Sequence, residues 1–111
     1  MSSKKDKSNN LDNYFMSIAM NLALQRNGQT GLNPSVGCLI VKNYKILSFG
    51  QTGFNGRPHA ETIAINKCKK KELKDSTIYI TMEPCTHYGK TPPCTNQIVK
   101  SKFKRVIYSI N

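Results

Sequence analysis

No stretch of this sequence approaches the roughly 20 consecutive apolar residues of a membrane-spanning helix, so no membrane association is expected. The opening residues, Met1-Ser2-Ser3-Lys4-Lys5-Asp6-Lys7-Ser8-Asn9-Asn10, lack the apolar core of a signal peptide, and the expected compartment is the cytoplasm. Acidic residues are scarce, with 6 against 17 Lys and Arg, for a net charge of +11. Such an excess concentrates anionic partners around a protein, either a phosphorylated metabolite or a nucleic acid, although a Lys-rich composition alone produces it too. On charge alone nucleic acid is the lesser expectation. The apolar poverty of disordered chains is absent: hydrophobic residues make up 38% and charged residues 21%. The 111 residues suffice for one core and are too few for two. Cysteines number only four, and in a reducing compartment they point to metal ligation or burial rather than to two disulfides.

Residues 1–10 are polar without periodicity and are expected to form a mobile tail, with the domain proper spanning 11–111. From Leu11, Phe15, Ile18, Ala19 and Leu22 recur at helical spacing, Met16, Met20 and Ala23 widen the stripe, and Asp12 or Asn13 is available as N-cap. This helix should end near Gly28. Turn residues from Gln29 to Ser35 feed the β-rich run Val36-Gly37-Cys38-Leu39-Ile40-Val41, and Asn43-Tyr44 predicts a hairpin into Ile46-Leu47-Ser48-Phe49. Gly50 to Pro58 is too irregular for an element and delivers the chain to a second helix opening on His59-Ala60-Glu61. Ala60, Ile63, Ala64 and Cys68 form its apolar face, and the basic run Lys67 to Lys71 reads as its solvated C-terminal end. Thr77 to Thr81 and Arg105 to Ile110 are the third and fourth strands, separated by a helix from Thr95 to Lys102. The order α-β-β-α-β-α-β predicts an α/β fold, a three-layer α/β/α sandwich with a mixed sheet.

Two signals carry chemistry. His59-Ala60-Glu61 opens one helix, and Glu83-Pro84-Cys85 with Thr91-Pro92-Pro93-Cys94 lies between the third strand and the next helix. Zinc takes nitrogen and thiolate ligands, and three protein ligands leave a fourth position for water. His59, Cys85 and Cys94 make three, with Zn2+ the expected metal. Helix N-termini favour the thiolate form of a cysteine. Zinc held by such a set lowers the pKa of its water toward roughly 7. Attack on an amino-bearing ring carbon then requires a carboxylate beside the metal to move protons, and Glu61 is that carboxylate.

His-x-Glu followed by Pro-Cys-x-x-Cys is the general signature of zinc deaminases. Here eight residues, 86 to 93, stand between the cysteines instead of two. In this spacing the segment Glu83-Pro84-Cys85-Thr86-His87-Tyr88-Gly89-Lys90-Thr91-Pro92-Pro93-Cys94 resembles the deaminase domain of riboflavin biosynthesis, the diaminohydroxyphosphoribosylaminopyrimidine deaminase of the cytidine deaminase-like superfamily. Asn33-Pro34-Ser35-Val36-Gly37-Cys38, Gly56-Arg57-Pro58-His59-Ala60-Glu61 and Arg105-Val106-Ile107 extend the resemblance over nearly everything beyond the first ten residues.

The resemblance implies a cytidine deaminase-like fold and hydrolytic deamination of 2,5-diamino-6-(5-phosphoribosylamino)pyrimidin-4(3H)-one to 5-amino-6-(5-phosphoribosylamino)uracil and ammonia. It implies substrate contacts for Asn33, His87 and Lys90, with Lys90 suited to the phosphate and Thr91 as a further contact. Thr52 stands where many relatives have a histidine, so that contact is either replaced by a hydroxyl or absent. Relatives continue past the fourth strand, frequently into a reductase domain, so a C-terminally shortened domain is expected. Its reductase step would lie elsewhere, in a further domain or a separate chain, and an oligomer of this chain could cover the exposed edge.

Each residue has a plainer reading. Cys38 in a strand and Cys68 on a helix face suit burial as small hydrophobes and are left out of the site. His87 is either a loop residue, a competing metal ligand or a substrate contact. Lys90 is an exposed lysine unless the motif is granted, and Asn33 also suits a turn before Pro34. Two other functions fit parts of the pattern: deamination of cytidine- or adenosine-type substrates, against which the long intercysteine segment argues, and a structural zinc module binding RNA through its basic surface.

Overall fold

The computed structural model describes residues 3–31, 35–81 and 94–109, with the side chains of residues 3–9, 55 and 94–96 outside that description. The elements are α1 (Ser3–Gln25), β1 (Gly37–Lys42), β2 (Lys45–Gln51), a 3-10 turn (Phe54–Gly56), α2 (Ala60–Lys67), the short α3 (Lys70–Leu73), β3 (Thr77–Ile80), α4 (Cys94–Ser101) and β4 (Arg105–Tyr108). The strands form one sheet in the order β2-β1-β3-β4. β1 is antiparallel to both neighbours, and β3 and β4 run parallel, so the sheet is mixed as expected.

The alternation of side chains along a strand sorts the core into two layers. Leu39, Val41 and Tyr79 pack with Phe15 and Ala19 of α1 on one face. Cys38, Ile40, Ile78 and Ile80 pack with Ala60, Ala64 and Ile65 of α2 and Ile98 of α4 on the other. The result is the expected three-layer α/β/α sandwich. The β1–β2 hairpin turns on Asn43 and Tyr44, both at positive φ (51° and 64°), the backbone of a two-residue turn whose twist matches its strands.

Two glycines set how closely the layers approach. A Cβ on Gly37 would lie 1.8 Å from the carbonyl oxygen of Ala19, and one on Gly50 would lie 2.3 Å from that of Ala60. Only a residue without a side chain lets α1 cross β1, and α2 cross β2, at that separation.

Four expectations are corrected. The first helix, expected from Leu11, begins at Ser3. No glycine or proline occurs before Gly28, so once the packed turns beyond Leu11 have formed, each further residue adds a hydrogen bond at small cost. Asp12 therefore sits within the helix rather than capping it, and its carboxylate turns to the sheet. In α2 it is Ile65, not Ile63, that is buried. The basic run does not end α2: the helix stops at Lys67, and Lys70 and Lys71 open α3, whose Leu73 is the residue that enters the core.

Candidate active site

The sheet register brings the functional segments to one edge. Gly37 at the start of β1 pairs with Gln51 at the end of β2, and Cys38 pairs with Ile80 at the end of β3. The chain therefore enters β1 and leaves β2 and β3 at a single rim. The helices that follow those two strands, α2 and α4, lie on the same face of the sheet. α2 is preceded by His59 and α4 begins at Cys94, so the two halves of the motif are delivered by two helix starts on one layer.

The approach to His59 is a tight loop. Gly53 N–H donates to the carbonyl of Pro58 at 2.9 Å, and Gly56 N–H to that of Gly53 at 2.9 Å. Arg26 places its guanidinium 4.0 Å from the ring centroid of Phe54 in the 3-10 turn, tying this loop to the end of α1. His59 itself is the N-cap of α2, with extended backbone (φ −71°, ψ 151°) and its carbonyl accepting from Ile63 N–H at 3.1 Å. Glu61 stands in the first turn and is 3% exposed. A carboxylate this buried, at the opening of a helix and two positions along from a histidine, is unusual among acidic side chains.

α2 and α4 are laced side by side. Thr62 Oγ1 donates to Gln97 Oε1 at 3.2 Å, and Gln97 Nε2 donates to Asn66 Oδ1 at 3.3 Å. Thr62 and Gln97 each lie three positions beyond His59 and Cys94 respectively, so the lacing matches the first turns of the two helices. Neither polar pair was singled out in the sequence, where isolated Thr and Gln on helices carry no signal. Behind the rim, burial, with Glu61 and Cys68 nearby adding to it, holds the Cys38 thiol well above its ordinary value. Cys68 donates to Ser48 Oγ at 3.1 Å. Both cysteines pack with the core cluster under the sheet, as expected.

Thr52 is 3% exposed, and its hydroxyl accepts Val36 N–H at 2.8 Å. The hydroxyl at this position is thus turned onto backbone. Thr81, equally buried, accepts Gly37 N–H at 3.0 Å.

Of the sequence-predicted residues, His59 and Glu61 are described in full, the one capping α2 and the other in its first turn. Cys94 is placed as the first residue of α4, and its side chain, with Asn33, Cys85, His87, Lys90 and Thr91, lies outside the described residues. Among the described residues no three metal-binding side chains gather. The chemistry of the candidate donors fits zinc: one imidazole, His59, at the start of α2 and two thiols, Cys85 and Cys94, would make a nitrogen-and-sulfur set of three.

Comparison with known proteins follows the same lines. Residues 9–110 match the family described as the cytidine and deoxycytidylate deaminase zinc-binding region. The riboflavin biosynthesis protein RibD of Aquifex aeolicus is 45% identical over 97 residues, covering 87% of this chain and 27% of its own length. The diaminohydroxyphosphoribosylamino-pyrimidine deaminase of Buchnera aphidicola from Schizaphis graminum is 46% identical over 98 residues, covering 88% of this chain and 66% of its own. RibD of Acinetobacter baumannii superposes with a TM-score of 0.83 at 39% identity, covering 89% of this chain and 28% of that one. The chain thus spans about a quarter of the length of the RibD relatives it matches.

Proposed function

This chain belongs to the cytidine and deoxycytidylate deaminase zinc-binding family, and on that premise we propose that it hydrolyses 2,5-diamino-6-(5-phosphoribosylamino)pyrimidin-4(3H)-one to 5-amino-6-(5-phosphoribosylamino)uracil and ammonia, a step of riboflavin biosynthesis. The observation that carries the reading is the buried Glu61 beside His59 at the start of α2. The likeness to proteins named for that deaminase, and to others named for riboflavin biosynthesis, supports the choice of substrate.

His59, Cys85 and Cys94 would hold zinc. Zinc, when bound, supplies the Lewis acidity that makes water a nucleophile source at neutral pH. Glu61 takes a proton from the attacking water, passes it to the ring nitrogen beside the reacting carbon, and gives the next to the departing amine. One carbon–oxygen bond forms, one carbon–nitrogen bond breaks, and ammonia leaves. Because Glu61 is buried, its protons exchange with substrate rather than with bulk solvent. Asn33, His87, Lys90 and Thr91 hold the substrate in this reading, Lys90 at the phosphate.

Residues 11–111 form the deaminase domain in this reading, in a cytoplasmic protein whose reductase step lies in a further domain or a separate chain, and copies of the chain associate into an oligomer. No helix among the described residues is long and apolar enough to cross a membrane. The deciding experiment measures ammonia release from the diaminopyrimidine ribosyl phosphate by zinc-loaded protein, with Glu61→Gln as control. Release that disappears in the control, with zinc retained, supports the assignment. Full zinc loading without turnover of this compound overturns it, and turnover of cytidine or adenosine compounds instead would redirect the substrate class.

A further inference from the structure

The entry into β1 is held by hydroxyl groups on three sides. Ser35 Oγ donates to the carbonyl of Ala23 at the end of α1. Val36 N–H donates to Thr52 Oγ1 at 2.8 Å, while Thr52 N–H returns a bond to the Val36 carbonyl at 3.0 Å and Thr52 Oγ1 lies 3.4 Å from the same oxygen. Gly37 N–H donates to Thr81 Oγ1 at 3.0 Å, and Thr81 N–H donates to the Gly37 carbonyl at 3.1 Å.

The positions of the two threonines explain the pattern. Gly37↔Gln51 is the last β1–β2 pair and Cys38↔Ile80 the last β1–β3 pair at this rim. Thr52 and Thr81 each stand one residue beyond the end of their strand. Each hydroxyl occupies the place of a ladder carbonyl and satisfies a backbone N–H, buried at Gly37 and half-buried at Val36, that the ladder itself leaves unpaired. The chain at the entry to β1 is therefore fixed from β2 by Thr52 and from β3 by Thr81.

Three residues before Val36 is Asn33, assigned above to the substrate. We propose that Thr52 is a positioning residue for substrate binding: its buried hydroxyl, by completing the rung to Val36, sets the backbone from which the Asn33 segment departs. The inference rests on the proposed deaminase reading for its kinetic consequence, and on the hydrogen bonds alone for the anchoring. Thr81 is a less selective probe, because it leads directly into the segment that carries Cys85.

Thr52→Val keeps volume and removes the acceptor, and Thr52→Ser keeps the acceptor. In the zinc-loaded protein, Thr52→Val is expected to raise KM for the diaminopyrimidine ribosyl phosphate about tenfold, with kcat changed less than about twofold and zinc content intact. Amide exchange at Val36 should accelerate, and Thr52→Ser should restore both KM and protection. A purely stabilising threonine would lower the melting temperature without moving KM. An unchanged KM in Thr52→Val, or an equal rise in Thr52→Ser, overturns the proposal. Should Thr52→Val fail to fold, Thr52→Cys, with a weaker acceptor of similar size, takes its place under the same criteria. If the wild-type protein does not turn over this substrate, it is the deaminase reading that fails; Val36 exchange then decides the anchoring by itself, acceleration in Thr52→Val supporting it and an unchanged rate overturning it.

Discussion

Arg105 grips Asp12 across 93 residues of sequence, its Nη1 3.1 Å from Oδ1 and its Nη2 2.5 Å from Oδ2. Tyr79 joins them, donating its hydroxyl to Oδ1 at 2.7 Å. One carboxylate thereby fastens α1 to the adjacent strands β3 and β4, on the face where Phe15 stacks against the Tyr79 ring at 5.5 Å between centroids. The planar guanidinium matches the carboxylate with two bonds, which a lysine would not.

This clasp predicts a dependence on acidity. Burial raises the Asp12 carboxyl, but the hydrogen bonds from Arg105 and Tyr79 outweigh it and leave Asp12 below the usual carboxylate value. A group depressed on folding contributes stability above its unfolded pKa of about 3.9 and loses that contribution as pH falls through the lower folded value. Denaturant titrations of Asp12→Asn should show a smaller loss of stability than wild type as pH is lowered below about 4. At neutral pH, Asp12→Ala should cost about 1–3 kcal/mol, since it strips the buried Tyr79 hydroxyl of its acceptor.

Gly50→Ala should act at a distance on the metal. The new Cβ would meet the Ala60 carbonyl at 2.3 Å, backbone that has no rotamer to move, so α2 must shift at its first turn. A stability loss of about 1–3 kcal/mol is expected from the overpacking alone. Zinc affinity, followed by competition with a chromogenic chelator, should fall as well, because His59 caps the displaced helix. A variant with weakened folding and unaltered zinc affinity would contradict this.

Removal of zinc should lower the melting temperature, and its return should raise the temperature in proportion to the logarithm of free metal, as for any ligand that binds only the folded chain. Cys85→Ser and Cys94→Ser should each abolish that response. Acidification should weaken loading, since thiolate ligands must lose their protons to bind.

Thiol labelling should separate Cys38 from the cysteines proposed to bind zinc. Cys38 is buried and held as the thiol, so it should resist alkylation in the folded protein and react only on global unfolding. If Cys38 is labelled at the same rate in native and unfolded protein, the placement of β1 is wrong.

Lacing of the helices gives a final test. Gln97→Leu removes the two bonds that Gln97 makes to α2, at Thr62 and Asn66. These bonds are partly exposed, and a cost of about 0.5–1.5 kcal/mol is expected from chemical denaturation. Zinc affinity should decline with it, because the two helix starts lose their register.

The amino-acid sequence by itself determined the order of the strands and of the longer helices, the mixed α/β class, the hairpin at Asn43-Tyr44 and the motif residues His59 and Glu61. All of these rest on local periodicity, turn chemistry or short spacing. Only the tertiary structure decided the fate of Asp12, which local rules make a helix cap and which Arg105 and Tyr79 make a clasp. The same holds for Thr52 and Thr81, whose hydroxyls acquire a role only because strand register sets them opposite Val36 and Gly37. Local pattern also could not say that Lys70 and Lys71 open a new helix, because burial of Leu73 selects that break. Hydrogen bonds and close contacts between residues far apart in the chain leave no periodic trace, and they are what sets the geometry of the rim on which Glu61 and His59 stand.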